Sequence, residues 1–342
     1  GMGVKISMAP LASAVANCGG AGTIASVGLG WGHPKIETEY LKTSKDALRD
    51  EIRKARELTS GVIGVNILTA LTHYDEFARV AAEEKADFII SGAGLPLRLP
   101  EYTKGSPIKL IPIVSSARAA KIILKTWSRR YRRFPDAIVV EGPLAGGHLG
   151  FRPEELKERS GDSLETLVAD VLKIVREHEK ASNVSIPVIA AGGIFDGKDI
   201  ARFIKLGAKG VQIATRFVAT KECSVADGFK ELYLKARAED LVIIESPVGL
   251  PGRAIRTPFI ERMMRGETEP THCPFQCLVT CDPSAAPYCI GRALCSAATG
   301  DLDNAVVFAG SNVARVNKIT SVKELMDDLV NEADQELKKP AN

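Results

Sequence analysis

The chain predicts an α/β fold, a (β/α)8 barrel of the TIM type with a Cys/Pro/Gly-rich lid near its carboxyl end. Three observations carry this. Short apolar, β-branched runs at 22–26, 62–67, 87–90, 109–114, 137–140, 187–190 and 210–213 barely alternate. Strands covered on both faces look like that. Stretches with helical spacing lie between most of them, at 45–58, 74–85, 117–131, 163–178, 198–206 and 225–238. Strand and helix in alternation imply right-handed crossovers and a parallel sheet. Finally, Gly-rich and polar segments follow several strands directly, where such barrels keep their chemistry.

The elements fall in order. A helical pattern at 10–17 precedes the first clear strand, and only residues 1–6 are available as a strand before it. The first of eight strands therefore reads as truncated, and a doubly wound open sheet is the runner-up. The barrel is expected to span 1–245 and a lid 246–300, with 301–342 packing back on the barrel. The lid segment is rich in Pro, Gly and Cys and has little periodicity, as binding loops do. Ser321 and Glu324 form a capping box that opens a closing amphipathic helix over 321–337.

Composition excludes several classes. The chain has 342 residues, 45% hydrophobic and 25% charged, an ordinary globular balance. No apolar run is long enough to span a bilayer, and no export signal opens the chain. A cytoplasmic protein with no membrane partner is expected. The net charge of +3 is scattered, so no nucleic-acid footprint appears. The basic run Arg129-Arg130-Tyr131-Arg132-Arg133 ends a helix, where cations suit the dipole.

Three loops after strands hold the candidate site. The first is Glu141-Gly142-Pro143-Leu144-Ala145-Gly146-Gly147-His148-Leu149-Gly150. His148 is the catalytic candidate: it can hold or take a proton near neutral pH, and its flanking glycines admit a ligand. The plainer reading is a loop histidine with a satisfied hydrogen bond. The other two loops are Ala191-Gly192-Gly193-Ile194 and Ala214-Thr215-Arg216. Counting the truncated strand, they follow strands seven and eight, the usual phosphate position. Bare backbone at Gly192 and Gly193, the Thr215 hydroxyl and the following helix N-termini suit an anion. The plainer reading is a pair of tight strand-to-helix turns. Residues 192–199 nearly match a P-loop, but Asp199 stands where Ser or Thr would hold Mg²⁺.

Of seven cysteines, Cys273, Cys277, Cys281 and Cys289 are separated by three, three and seven residues. Such spacing could serve a metal or an iron–sulfur cluster. It is not a usual zinc pattern. Reduced thiols packed in the lid, with no metal, are expected, with Cys277 and Cys281 on one face of a helix.

Taken together, these loops resemble the nitronate monooxygenase family (formerly 2-nitropropane dioxygenases), related to FMN-dependent enoyl-ACP reductase II. The resemblance rests on residues 1–3, residues 11–22, Asn66, residues 145–150, residues 186–194 and residues 210–217. It implies FMN as cofactor. Gly192, Gly193, Ala214 and Thr215 would bind its phosphate. Gly1, Met2, Asn66, Gly146 and Gly147 would lie along the remainder, and His148 would be the catalytic group. A lysine of some members is replaced here by the Ser115–Ser116 region. The implied activity is oxidation of alkyl nitronates or nitroalkanes with O₂, on a small-molecule substrate. The alternatives are an NAD(P)H-dependent reductase of enoyl-ACP or quinone, and a non-catalytic barrel acting as a binding protein. The sequence leaves oligomeric state open.

Overall fold

The computed structural model describes residues 1–158, 160–269 and 272–340. Helix α1 (Ala9–Asn17) leads into β1 (Gly22–Ala25). Then follow α2 (Tyr40–Leu58), β2 (Ile63–Leu68), α3 (Tyr74–Glu83), β3 (Phe88–Gly92), α4 (Leu99–Tyr102), β4 (Lys109–Val114), α5 (Ala117–Tyr131) and β5 (Ile138–Glu141). The next elements are β6 (Gly147–His148), α6 (Pro153–Glu158), α7 (Leu164–Ser182), β7 (Val188–Ala191), α8 (Gly197–Leu206), β8 (Gly210–Gln212), α9 (Thr215–Val218) and α10 (Asp227–Lys235). The last third holds β9 (Leu241–Glu245), β10 (Pro251–Ile255), α11 (Pro258–Met264), α12 (Ile290–Thr299), β11 (Val307–Phe308) and α13 (Val322–Lys338).

Seven strands pair in the order β1-β2-β3-β4-β5-β7-β8, and every pairing is parallel. All seven contribute side chains to the wall of one cavity, from Thr23 and Asn66 through Ile90, Ile111 and Val139 to Ile189 and Val211. The sheet is therefore curled round its interior as a barrel. Among the described residues β8 does not pair with β1. Residues 1–6, the stretch available for a first strand, hold no strand, and 3–6 form turns. Val4 and Lys5 have φ of 52° and 63°, and Val4 N–H donates to the Val27 carbonyl at 3.0 Å.

Outside the sheet the helices bury one face each. Trp127 of α5, Phe77 of α3 and Phe203 of α8 are fully buried; removing such a side chain from water is worth about 1.5–3 kcal/mol. Trp127 also satisfies its ring N–H on the Pro96 carbonyl at 3.2 Å. Helix α13 begins with the expected capping box of Ser321 and Glu324. It packs on α8, where Glu332 accepts from Gly197 N–H at 2.8 Å.

The lid is more regular than its composition suggests. β9 and β10 form an antiparallel hairpin. On the other edge of β10, Gly252 faces His148 and Ala254 faces Phe308. Strands β6 and β11 thus share that edge, end to end. The segment 277–281, expected as a helix, is a bridge and a turn: Leu278 pairs with Leu71, and Val279 N–H donates to the Ala70 carbonyl at 2.9 Å.

Candidate active site

His148 does not sit in a free loop. It is a residue of β6, held by its pairing with Gly252 of β10. Gly147, just before it, has φ of 77°, a conformation that a side chain would strain. Gly146 runs against other backbone: a Cβ there would lie 2.4 Å from the Ala309 carbonyl carbon and 2.5 Å from the Gly310 nitrogen. The run of two glycines before the histidine is therefore a steric requirement of the site. Arg253, buried beside them, donates to the carbonyls of Pro143 and Ala145, both at 2.6 Å. It ties the 143–148 segment to β10.

The imidazole faces the barrel cavity. Its Nε2 is 2.8 Å from the Ser246 hydroxyl, and the Phe308 ring meets it edge-on at 4.9 Å between centroids. Burial pushes its pKa down to about 4, because a charged ring would lack solvation. The ring is neutral at physiological pH. A second titratable group shares the cavity. Glu141 ends β5, and burial pushes its pKa up to about 7.

The cavity has a volume of about 1560 Å³. Gly1, Met2, Asn66, Gly146, Gly147, His148, Ala214 and Thr215 all line it. Asn66 is buried and spends its Nδ2 on the Ile90 carbonyl at 3.1 Å. Met2 N–H donates to Ser7 Oγ at 2.8 Å.

Gly192 and Gly193 stand differently. They are absent from the cavity wall; Gly192 packs on Gly142 and Ala145, and Gly193 on Leu144. The helix after them is not open to an anion either. Asp196 caps α8 by accepting from Asp199 N–H at 3.0 Å, Asp199 accepts from Phe195 N–H at 2.9 Å, and Glu332 takes Gly197 N–H. The protein's own carboxylates occupy that N-terminus. Helix α9 after Ala214 is a single turn of four residues.

In their place the structure brings up the 308–312 segment. Gly310 N–H donates to Thr215 Oγ1 at 3.0 Å, and Asn312 Nδ2 donates to the Gly193 carbonyl at 2.6 Å. The Tyr233 hydroxyl donates to the Phe308 carbonyl and fixes the start of the segment. Between Gly310 and Asn312, the Ser311 hydroxyl is buried with no hydrogen-bond partner among the described residues, and Ser311 does not line the cavity. The Thr215 hydroxyl and the bare backbone of Gly146, which do line it, fit a phosphate-bearing group.

Ser246, Phe308, Ser311 and Glu141 were not singled out from sequence. Glu141 had a signal, a lone carboxylate ending a run of Ile138, Val139 and Val140. Ser246 had none, since its contact spans 98 residues.

A family model described as nitronate monooxygenase matches residues 1–83 and 65–332. A Mycobacterium tuberculosis protein named "(3aS,4S,5R,7aS)-5-hydroxy-7a-methyl-1-oxo-octahydro-1H-indene-4-carboxyl-CoA dehydrogenase" is 29% identical over 78% of this chain and 64% of its own length. The chain thus spans less than two thirds of that relative. A Staphylococcus aureus protein named "Probable nitronate monooxygenase" is 28% identical over 92% of this chain and 91% of that protein. Among solved structures, FabK from Thermotoga maritima superposes with a TM-score of 0.74 at 30% identity, covering 99% of this chain and 92% of that one.

Proposed function

The chain belongs to the nitronate monooxygenase family and is an oxidoreductase of a flavoenzyme type, and from that premise we propose that it binds FMN in the barrel cavity and oxidises nitroalkanes or their nitronates with O₂. This sets aside the non-catalytic barrel. FMN, when bound, would take up the substrate's electrons and deliver them to O₂.

The observation that carries the reading is the neutral, desolvated imidazole of His148 facing the cavity. A ring with its pKa near 4 is a proton acceptor at neutral pH and a poor donor. Oxidation of a nitroalkane begins with loss of a proton from the carbon bearing the nitro group, and His148 is placed to receive it. With a preformed nitronate that step is unnecessary, and the ring needs only to orient the anion. Ser246 holds the ring by its Nε2, and the Phe308 edge keeps water from one side. Thr215 and the backbone at Ala214 and Gly146 would hold the phosphate. Met2, Asn66, Gly146 and Gly147 would lie along the rest of FMN.

A second reading draws on Glu141. A carboxylic acid with a pKa near 7 is partly protonated at neutral pH and can donate. Reduction of an enoyl thioester with NAD(P)H needs such a donor. A cavity of about 1560 Å³ has room for a long acyl chain. The test mixes FMN-loaded protein anaerobically with propyl nitronate and, separately, with NADH or NADPH. Rapid bleaching of the flavin by the nitronate is expected. Bleaching by a nicotinamide and not by the nitronate selects the second reading and overturns the first.

A further inference from the structure

Four cysteines meet beside the cavity, outside the site described above. Cys273, Cys281 and Cys289 all stand within electrostatic reach of Cys277, and Cys273 and Cys289 within that of Cys281. All four are partly exposed and none is in a disulfide. Spacing alone favoured thiols packed on a helix. The structure has no helix over 273–289, and Cys289 lies near Cys277 and Cys281.

We propose that Cys273, Cys277, Cys281 and Cys289 bind a four-iron, four-sulfide cluster, fixed in the lid against the wall of the barrel cavity. Among the described residues no group of three Cys, His, Asp or Glu side chains is arranged to hold a single metal ion. A cubane fits that finding. Its thiolates sit on the outside of a core of several atoms and stand farther apart than the ligands of one ion.

Three further features favour this occupant. Cys289 is the residue at the N-cap of α12, a ten-residue helix, and makes no side-chain cap bond. Four thiolates outweigh the charge of the core, so the assembly is anionic and suits that helix end. An aromatic wall stands over the site. Tyr40 stacks on Phe275 at 4.3 Å, Trp31 meets Phe275 edge-on at 5.8 Å, and Tyr40 feels the charge of Cys277 and Cys273. Such a wall limits solvent access, one of the factors that sets a cluster's behaviour. The connecting backbone is also held in place: Thr72 donates from N–H to the Cys277 carbonyl at 3.1 Å and from Oγ1 to the Gln276 carbonyl at 2.6 Å. Thr280 Oγ1 donates to the Val248 carbonyl at 2.6 Å. Insertion of a preformed core makes four iron–thiolate bonds, releases four thiol protons and transfers no electron.

The full chain is purified anaerobically, and iron, acid-labile sulfide and zinc are measured before and after reconstitution with ferrous iron and sulfide. Electron paramagnetic resonance follows reduction with dithionite. The expected result is about four iron and four sulfide per chain and a reduced-cluster signal. Cys281→Ser should lose them and Cys295→Ser should keep them. One zinc per chain, or no iron above background in reconstituted wild-type protein, overturns the proposal. If Cys281→Ser does not fold, the wild-type counts and spectrum still decide. These counts do not depend on flavin, so they are read separately from any failure of FMN to bind.

Discussion

Two parts of the cavity wall prepare for charge in opposite ways. Around Thr215 and Gly146 the wall offers backbone and a hydroxyl, neither of which titrates. Around His148 and Glu141 it offers two titratable groups, and burial drives both toward the neutral form. The first suits a permanent anion, held identically at any ordinary pH. The second suits a charge that appears and disappears during turnover. A wall built of fixed dipoles cannot move protons, and a wall of desolvated acids and bases cannot hold a phosphate.

The sharpest break in this contrast is His148→Ala. It should lower turnover with nitroalkane by ~10²–10⁴-fold, the usual worth of acid–base work. Flavin absorbance per chain should stay unchanged, because the phosphate side is untouched. Steady-state rates and a spectrum check both parts. Next in size is Gly146→Ala. Its new Cβ would press on the Ala309 and Gly310 backbone, and overpacking typically costs about 1–3 kcal/mol. FMN affinity should fall about ten- to hundredfold by fluorescence titration. Thr215→Ala acts on the phosphate side alone. A hydrogen bond to a charged group is worth about 1.5–3 kcal/mol, so FMN should bind at least about tenfold more weakly. Ser311→Ala should leave FMN affinity unchanged, and the protein should melt at the same temperature or higher, since a buried unpaired hydroxyl off the cavity wall is removed.

The smallest effects are on stability against pH, and their signs oppose. His148 has its folded pKa below the unfolded value, so the unfolded chain binds more protons between about 6.5 and 4. Its contribution is present above pH 6.5 and lost as pH falls through that window. Glu141 has its folded pKa above the unfolded value, so its contribution is present below about 4.5 and lost as pH rises toward about 7. Urea denaturation of Glu141→Gln should therefore lose less stability than wild type between pH 5 and 7. His148→Gln should lose less than wild type as pH falls from 6.5 to 4. Identical pH profiles for wild type and both variants would erase the contrast.

How much of this was legible depended on how local the cause was. The seven parallel strands announce themselves by continuous β-branched runs, and α5 was readable at both ends because Ser116 caps it and Tyr131 ends its periodicity. His148 and its glycines were readable, since their constraints are mutual and close in sequence. The β9–β10 hairpin was not. Pro251 and Gly252 open β10, and neither is a usual strand residue; tertiary pairing decides it. The proposed phosphate end was half legible. Thr215 and Ala214 follow a strand and line the cavity, whereas Gly192 and Gly193, which read the same way in sequence, do not. Nothing local shows that Asp196, Asp199 and Glu332 fill the helix end beside them. Ser246 and Phe308 reach His148 only through contacts distant in sequence.

Those contacts have a geometric consequence. Gly252 faces His148 across the strand pair, and its missing side chain leaves room for Phe308: a Cβ at 252 would stand 2.9 Å from the ring. The same ring touches the imidazole. Alignment of the lid thus works as a gauge for the barrel. Let β10 slide by one residue, and Pro251 or Arg253 arrives where only a bare backbone fits. The phenyl ring must then yield and the imidazole loses its seat, while every barrel strand stays where it was. Single-residue insertions in the 246–250 turn belong among the mutations that silence this protein without unfolding it.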